Sequence, residues 1–140
     1  MHDKVFIDTN IILYAISTKD ADKRSIAKPI VLGDATISAQ VINEVSVNLL
    51  KKLKFNENMI QKFVDSSYHR YNVVELTRNV FIRASELREN YNFSYYDSVI
   101  VSAAIIANCT ILYSEDMQHE LIVENRLQII DPFKKVKAPE

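Results

Sequence analysis

The chain has 140 residues, 48% of them apolar and 25% charged. That is the size of one domain and the composition of an ordinary globular protein, which excludes a disordered or fibrous chain. Seventeen basic residues against eighteen acidic ones leave a net charge of −1, so a binder of nucleic acid that works by bulk positive charge alone is excluded as well.

One cysteine, Cys109, rules out an intramolecular disulfide and a multi-cysteine zinc site; it reads as a small apolar core residue in a reducing compartment. The longest apolar stretch, Val99 to Ala107, is far short of the ~20 residues that span a bilayer. The N-terminus lacks the charged region and long apolar run of a signal peptide. The expectation is a soluble, cytoplasmic protein, one domain over 1–140 with a short basic tail at 134–140.

In chain order, Lys4 to Asp8 is a short apolar run that predicts a buried strand, and Ile11 to Ile16 begins a helix directly after it. Ala21 to Leu32 is helical in pattern, with Pro29 expected to bend or shorten it. Gly33 and Asp34 punctuate the chain before a second strand at Ala35 to Ser38. From Ala39 to Leu53, Val41, Ile42, Val45, Leu49 and Leu53 share one face of a helix. Asn56 to Tyr68 is another amphipathic helix, Asn72 to Leu76 a strand, and Thr77 to Tyr91 a helix capped by the Thr77 hydroxyl. Ser94 to Ala107 is apolar nearly all round, as a buried helix would be. Thr110 to Tyr113 and Leu127 to Ile130 complete the strands, with a turn or short helix near Met117 to Glu120.

Short apolar strands alternating with helices predict an α/β domain whose mainly parallel sheet is covered on both faces. With a single glycine, the chain has neither a dinucleotide-binding nor a P-loop phosphate motif. No nucleophile elbow is present, and His2, His69 and His119 are too scattered for a zinc motif, His69 and His119 reading as surface residues. Lys51, Lys52 and Lys54 read as a solvated helix end.

Ligand sites in open parallel sheets form at the carboxyl ends of the strands, and acids stand at such places here. Asp8 ends the first apolar run, where it could equally cap the next helix. Asp97 lies in the first turn of the apolar helix, where Ser94-Tyr95-Tyr96-Asp97 also matches a capping box. Asp116 follows the Thr110 to Tyr113 strand in a turn-forming context, and Glu115 beside it reads as solvated. Glu44 sits about 60° from Val41 on its helix, at the rim of the apolar face. Each acid alone has a bland explanation. Gathered at one sheet edge, they would repel and desolvate one another unless a hard divalent cation neutralised them, and oxygen-only ligands suit Mg²⁺ or Mn²⁺. Such a centre can polarise a phosphodiester and activate water.

Four blocks of sequence fall in a familiar order: Phe6-Ile7-Asp8-Thr9-Asn10-Ile11, then Ile37-Ser38-Ala39-Gln40-Val41-Ile42-Asn43-Glu44. Tyr96-Asp97-Ser98-Val99-Ile100-Val101-Ser102-Ala103-Ala104 and Leu112-Tyr113-Ser114-Glu115-Asp116 follow. Their order resembles the PIN-domain family of metal-dependent ribonucleases, in particular the VapC-type toxins of toxin–antitoxin pairs. The resemblance implies an α/β/α sandwich that is often dimeric, and hydrolysis of RNA as the reaction. It implies Asp8 and Asp97 as principal Mg²⁺ or Mn²⁺ ligands, Asp116 as a direct or water-mediated ligand, and Glu44 as the acid that orients water. Thr9, Asn10 and Ser114 would position the acids, and a small antitoxin protein is the implied partner. The fourth block reads Ser-Glu-Asp where many relatives carry Thr-x-Asp, which leaves the part played by Glu115 open. Competing readings are a PIN-type RNA-processing nuclease without antitoxin, a binding module of the same fold, and a receiver-type phosphoryl-transfer domain. The last would need a second acid near the first strand, where Thr9 and Asn10 stand instead.

Overall fold

Strands and helices alternate along the computed structural model, which describes residues 3–134. The elements are β1 (Val5–Ile7), α1 (Thr9–Ile16), α2 (Ala21–Leu32), β2 (Thr36–Ser38), α3 (Ala39–Lys51) and α4 (Glu57–Arg70). They continue with β3 (Asn72–Val74), α5 (Arg78–Asn90), α6 (Tyr95–Ile106), β4 (Ile111–Tyr113), β5 (Ile122–Val123) and β6 (Leu127–Ile130). Past Lys134, the basic tail read at 134–140 lies outside the described residues.

The strands form one sheet in the order β3-β2-β1-β4-β6-β5. All pairings are parallel except β5 with β6. The α/β architecture with a mainly parallel sheet is therefore as the alternating pattern predicts. Crossovers between parallel strands are right-handed almost without exception. Going from β1 to β2 to β3 moves steadily one way across the sheet, so α1 to α4 cover one face, and α1 packs on α2 and α3 while α3 packs on α4. The step from β3 to β4 reverses direction and carries α5 and α6 to the other face, where they pack on each other. The sheet order therefore switches between β1 and β4, and their carboxyl ends flank the crevice where such folds bind ligands.

Phe6, Ile7, Ile37, Leu112, Leu127 and Ile129 of the strands are fully buried. Every residue of α6 from Ser98 to Ile105 is buried too. Its two buried hydroxyls are satisfied by α5: Arg88 Nη1 donates to Ser98 Oγ at 2.7 Å, and Ser102 Oγ donates to the Val80 carbonyl at 2.7 Å. Cys109 is buried, with its thiol pKa pushed up by that burial.

The sequence reading is corrected at two points, Pro29 and β5. Pro29 does not shorten α2, which runs on to Leu32. Pro29 and Ser25 are both exposed, so the carbonyl that proline leaves without an amide partner is open to water. The segment from Met117 to Glu120 is a turn, and it leads into β5, which the sequence pattern missed. The hairpin joining β5 to β6 turns at Glu124 and Asn125, with φ of 53° and 57°. Such left-handed turns are ordinarily signalled by glycine. Here Glu124 is held instead by side chains of α5 and the segment after it: Arg83 pairs with its carboxylate at 2.7 Å, and the Tyr91 hydroxyl accepts its amide at 2.8 Å.

Candidate functional site

Asp8 is the residue at which β1 becomes α1. Its backbone amide continues the sheet by donating to the Tyr113 carbonyl at 3.0 Å, and its side chain turns to the helix as N-cap, accepting from the Thr9 amide at 2.7 Å. The register that pairs Ile7 with Tyr113 brings the next residues, Asp8 and Ser114, side by side. Ser114 Oγ, wholly buried, donates to Asp8 Oδ2 at 2.9 Å. Both carboxylate oxygens of Asp8 are thereby oriented.

Asp97 reaches the same edge from the opposite face of the sheet. Because α6 leads into the amino end of β4, its own N-terminus lies over the carboxyl ends of the strands. Ser94 caps it, its hydroxyl accepting the Asp97 amide at 3.1 Å. The capping reading is thus correct for both Asp8 and Asp97. It does not compete with the site reading, because a helix N-terminus at the sheet's carboxyl edge supplies both.

Glu44 lies in the second turn of α3, which starts at the end of β2. Thr9 Oγ1 donates to its Oε1 at 2.7 Å, and Gln40 Nε2 to its Oε2 at 3.1 Å. Asp116 follows β4 and is exposed; Asn10 Nδ2 donates to its Oδ2 at 3.0 Å. Thr9, Asn10 and Ser114 each donate a hydrogen bond to one of these acids.

All four acids line one cavity, together with Thr9, Asn10, Gln40, Asn48, Tyr96 and Ile100. Burial pushes the Asp8 carboxyl up to about 6, against its hydrogen bonds from Thr9 and Ser114, and the negative charges of Glu44 and Asp97 push the same way. Burial likewise raises Asp97, against its hydrogen bond with Ser94, with Asp116 and Glu44 adding repulsion. Part of Asp8 still opens to the cavity. The mutual repulsion and the all-oxygen donor set fit a hard divalent cation. Among the described residues, no group of three or more acids, histidines or cysteines is arranged to hold a metal ion by itself. The four carboxylates line the walls of the cavity, where an ion that keeps several of its waters could be held partly through them.

Gln40 and Asn48, which the sequence reading passed over, also belong to the wall. Gln40 Nε2 bridges Glu44 to the Tyr96 carbonyl at 3.2 Å, and Asn48 Nδ2 donates to the Glu44 carbonyl at 2.9 Å. They lie four residues before and after Glu44, the spacing at which helical side chains meet, so the signal was there.

Glu115 corrects the sequence reading in the other direction. It is nearly buried, outside the carboxylate cavity, and accepts from Lys23 Nζ and the Tyr14 hydroxyl. His69 is exposed as expected, whereas His119 is largely covered and accepts the Asp131 amide on Nδ1 at 3.0 Å.

The model of the PIN domain family matches residues 5–124. Among solved structures, a toxin–antitoxin complex from Klebsiella pneumoniae is 16% identical with a TM-score of 0.67, covering 92% of this chain and 98% of that one. The DNA-bound VapBC complex of Salmonella typhimurium is 17% identical with a TM-score of 0.66, over 94% and 99% of the two chains. VapC20 of Mycobacterium tuberculosis, a toxin that cleaves the sarcin–ricin loop, is 15% identical with a TM-score of 0.65, over 81% and 90%. At such identities the likeness is one of fold. No curated protein matches the chain by sequence.

Proposed function

Since the chain belongs to the PIN domain family, we propose that it is a divalent-metal-dependent endoribonuclease and the toxin half of a toxin–antitoxin pair. The observation that carries the reading is that Asp8, Glu44, Asp97 and Asp116, from four separate stretches of sequence, line one cavity at the switch point of the sheet. The toxin and RNA parts are carried over from relatives of the same fold, two of them complexes of toxin with antitoxin and one an RNA-cleaving toxin. Among the described residues no helix is long and apolar enough to cross a membrane, which accords with an enzyme acting on cytoplasmic RNA. The near-neutral net charge gives one copy little electrostatic hold on RNA, so the proposal includes a homodimer whose two copies share one groove.

In this reading Asp8, Asp97 and Asp116 hold Mg²⁺ or Mn²⁺. When bound, the ion neutralises phosphate charge and makes water acidic enough to act as a nucleophile. Ser114 and the Thr9 amide fix Asp8, Asn10 fixes Asp116, and the Ser94 cap fixes the turn bearing Asp97. Glu44, held by Thr9 and Gln40, accepts a hydrogen bond from the attacking water and aims its oxygen at phosphorus. The new P–O bond forms as the scissile one breaks; the attacking water gives up a proton to solvent and the leaving ribose oxygen takes one up.

The test is cleavage of a mixed RNA pool by purified protein with Mg²⁺, Mn²⁺ or EDTA, beside Asp97→Asn. Cutting that needs the ion and disappears in the folded variant is expected. Cutting in EDTA, or by Asp97→Asn at the wild-type rate, would overturn the site. A chain that neither binds metal nor cuts would be a binding module of this fold. For the toxin half, expression alone should arrest growth, relieved by a small neighbouring gene; harmless expression of an active enzyme points to RNA processing without an antitoxin.

A further inference from the structure

Three consecutive residues leave the end of β4, and each is tied to the first β-α unit or the helix packed on it. Ser114 reaches Asp8, and Asp116 receives Asn10. Between them Glu115 turns away from the cavity onto α1 and α2, where the Tyr14 hydroxyl donates to it at 3.1 Å and the Lys23 ammonium pairs with it. The side chains of Lys23 and Glu115 are only 15% and 8% exposed, so solvent screens this pair far less than a surface ion pair. Lys23 also donates to the Tyr14 hydroxyl at 3.2 Å and lies over the rings of Tyr14 and Phe133, at 4.6 and 5.5 Å from their centroids. Tyr14 and Phe133 pack edge to face at 5.1 Å. The ammonium is thus seated in an aromatic corner that leaves its charge aimed at Glu115.

We infer that Lys23, Tyr14 and Glu115 form a positioning device for the carboxylate site, clamping the segment that carries Ser114 and Asp116 against the α1–α2 pair. The inference rests on the proposed metal-dependent nuclease. Asp116 is exposed, and its carboxylate is held by a hydrogen bond from Asn10. A peptide free to swing at residue 115 would move both neighbours, Asp116 and the Ser114 hydroxyl that orients Asp8. Lys23 has a second effect: it neutralises Glu115, so a carboxylate one residue from the cluster adds no net charge to it. None of the three touches the cavity, so they act through Ser114 and Asp116, as the outer partners of metal ligands do.

The experiment measures Mg²⁺ and Mn²⁺ affinity by calorimetry, melting temperature, and kcat apart from KM on RNA. The proteins are wild type, Glu115→Gln, Tyr14→Phe, Lys23→Arg and the apolar double variant Lys23→Met with Glu115→Leu. Glu115→Gln should bind the ions roughly 10- to 100-fold more weakly and lose kcat more than KM. Tyr14→Phe, which removes one hydroxyl, should show a smaller loss and serves if Glu115→Gln fails to fold. Lys23→Arg, which keeps the charge, should stay near wild type. The double variant decides between positioning and stability. Apolar replacement of a buried ion pair commonly restores stability, so it should melt near the wild-type temperature yet keep weak ion binding. Wild-type ion affinity in that variant, or lower melting temperatures with unchanged affinity in the single variants, would overturn the inference and leave the nuclease standing. No divalent binding by the unchanged protein would sink the nuclease reading, and the inference with it.

Discussion

Asp8 carries three duties at one residue: it extends the sheet through its amide, caps α1 through its carboxylate, and stands in the acidic cavity. The cost of that place, burial first and then the charges of Glu44 and Asp97, is visible in a carboxyl pushed up to about 6. A carboxyl whose pKa is higher folded than unfolded binds its proton more tightly in the native state. Its contribution to stability is fully present below the unfolded value near 3.8 and is lost as pH rises through about 6. Above that, the ionised group destabilises the metal-free fold by an amount on the order of 3 kcal/mol. Asp8→Asn keeps the acceptor for the Thr9 amide and removes the charge. In chelator, the variant should melt well above wild type at pH 7, and the gap should close toward pH 4. An unchanged gap across that range would mean that neither burial nor its acidic neighbours raise the Asp8 carboxyl. Thermal melts across pH, both proteins side by side, provide the comparison.

Helix α6 shows how an element can be legible in pattern and still hide its use. Its apolar run marks it as buried, and burial from Ser98 to Ile105 is what packing against β2 and α5 requires. Ser94 caps its start, yet the acid three residues on, whose amide it accepts, also lines the cavity. Ser94→Ala removes the acceptor of the Asp97 amide and should lower stability by about 1 kcal/mol, the usual worth of an N-cap. The Asp97 carboxyl, losing the hydrogen bond that partly offsets its burial, should rise further. Urea unfolding checks the first expectation, and a carboxyl titration by NMR the second. At the other edge of the sheet, β5 had no signal in the pattern. It is a two-residue strand, and its turn relies on Arg83 and Tyr91 from residues far back in the chain instead of on glycine.

At the scale of the whole molecule, the fold brings together carboxylates that the metal-free state keeps together only at a cost. A ligand that binds the native state alone stabilises it by mass action, about 2.7 kcal/mol when present at 100 times its dissociation constant. Mg²⁺ or Mn²⁺ in the millimolar range should therefore raise the melting temperature by several degrees at pH 7, and EDTA should reverse the shift. The rise should be absent in Asp97→Asn if that carboxylate holds the ion. A rise of equal size in the variant would place the ion elsewhere.

By itself the sequence determined the alternation of strands and helices, the buried character of α6, and which residues were chemically able to form the site. Those follow from local pattern: apolar periodicity, capping residues, and acids at the ends of apolar runs. Even Gln40 and Asn48 were within reach, since helix geometry puts them beside Glu44. The tertiary structure decided what local pattern cannot encode. The Ile7–Tyr113 register set Ser114 on Asp8, and the reversal of crossover direction after β3 brought Asp97 to the same edge from the opposite face. It also decided the fate of Glu115, read from its neighbours as solvated and found paired with a lysine 92 positions away. A side chain's charge is fixed by its own chemistry. Its partner is fixed by the chain path, and contacts so distant in sequence leave no periodicity to read.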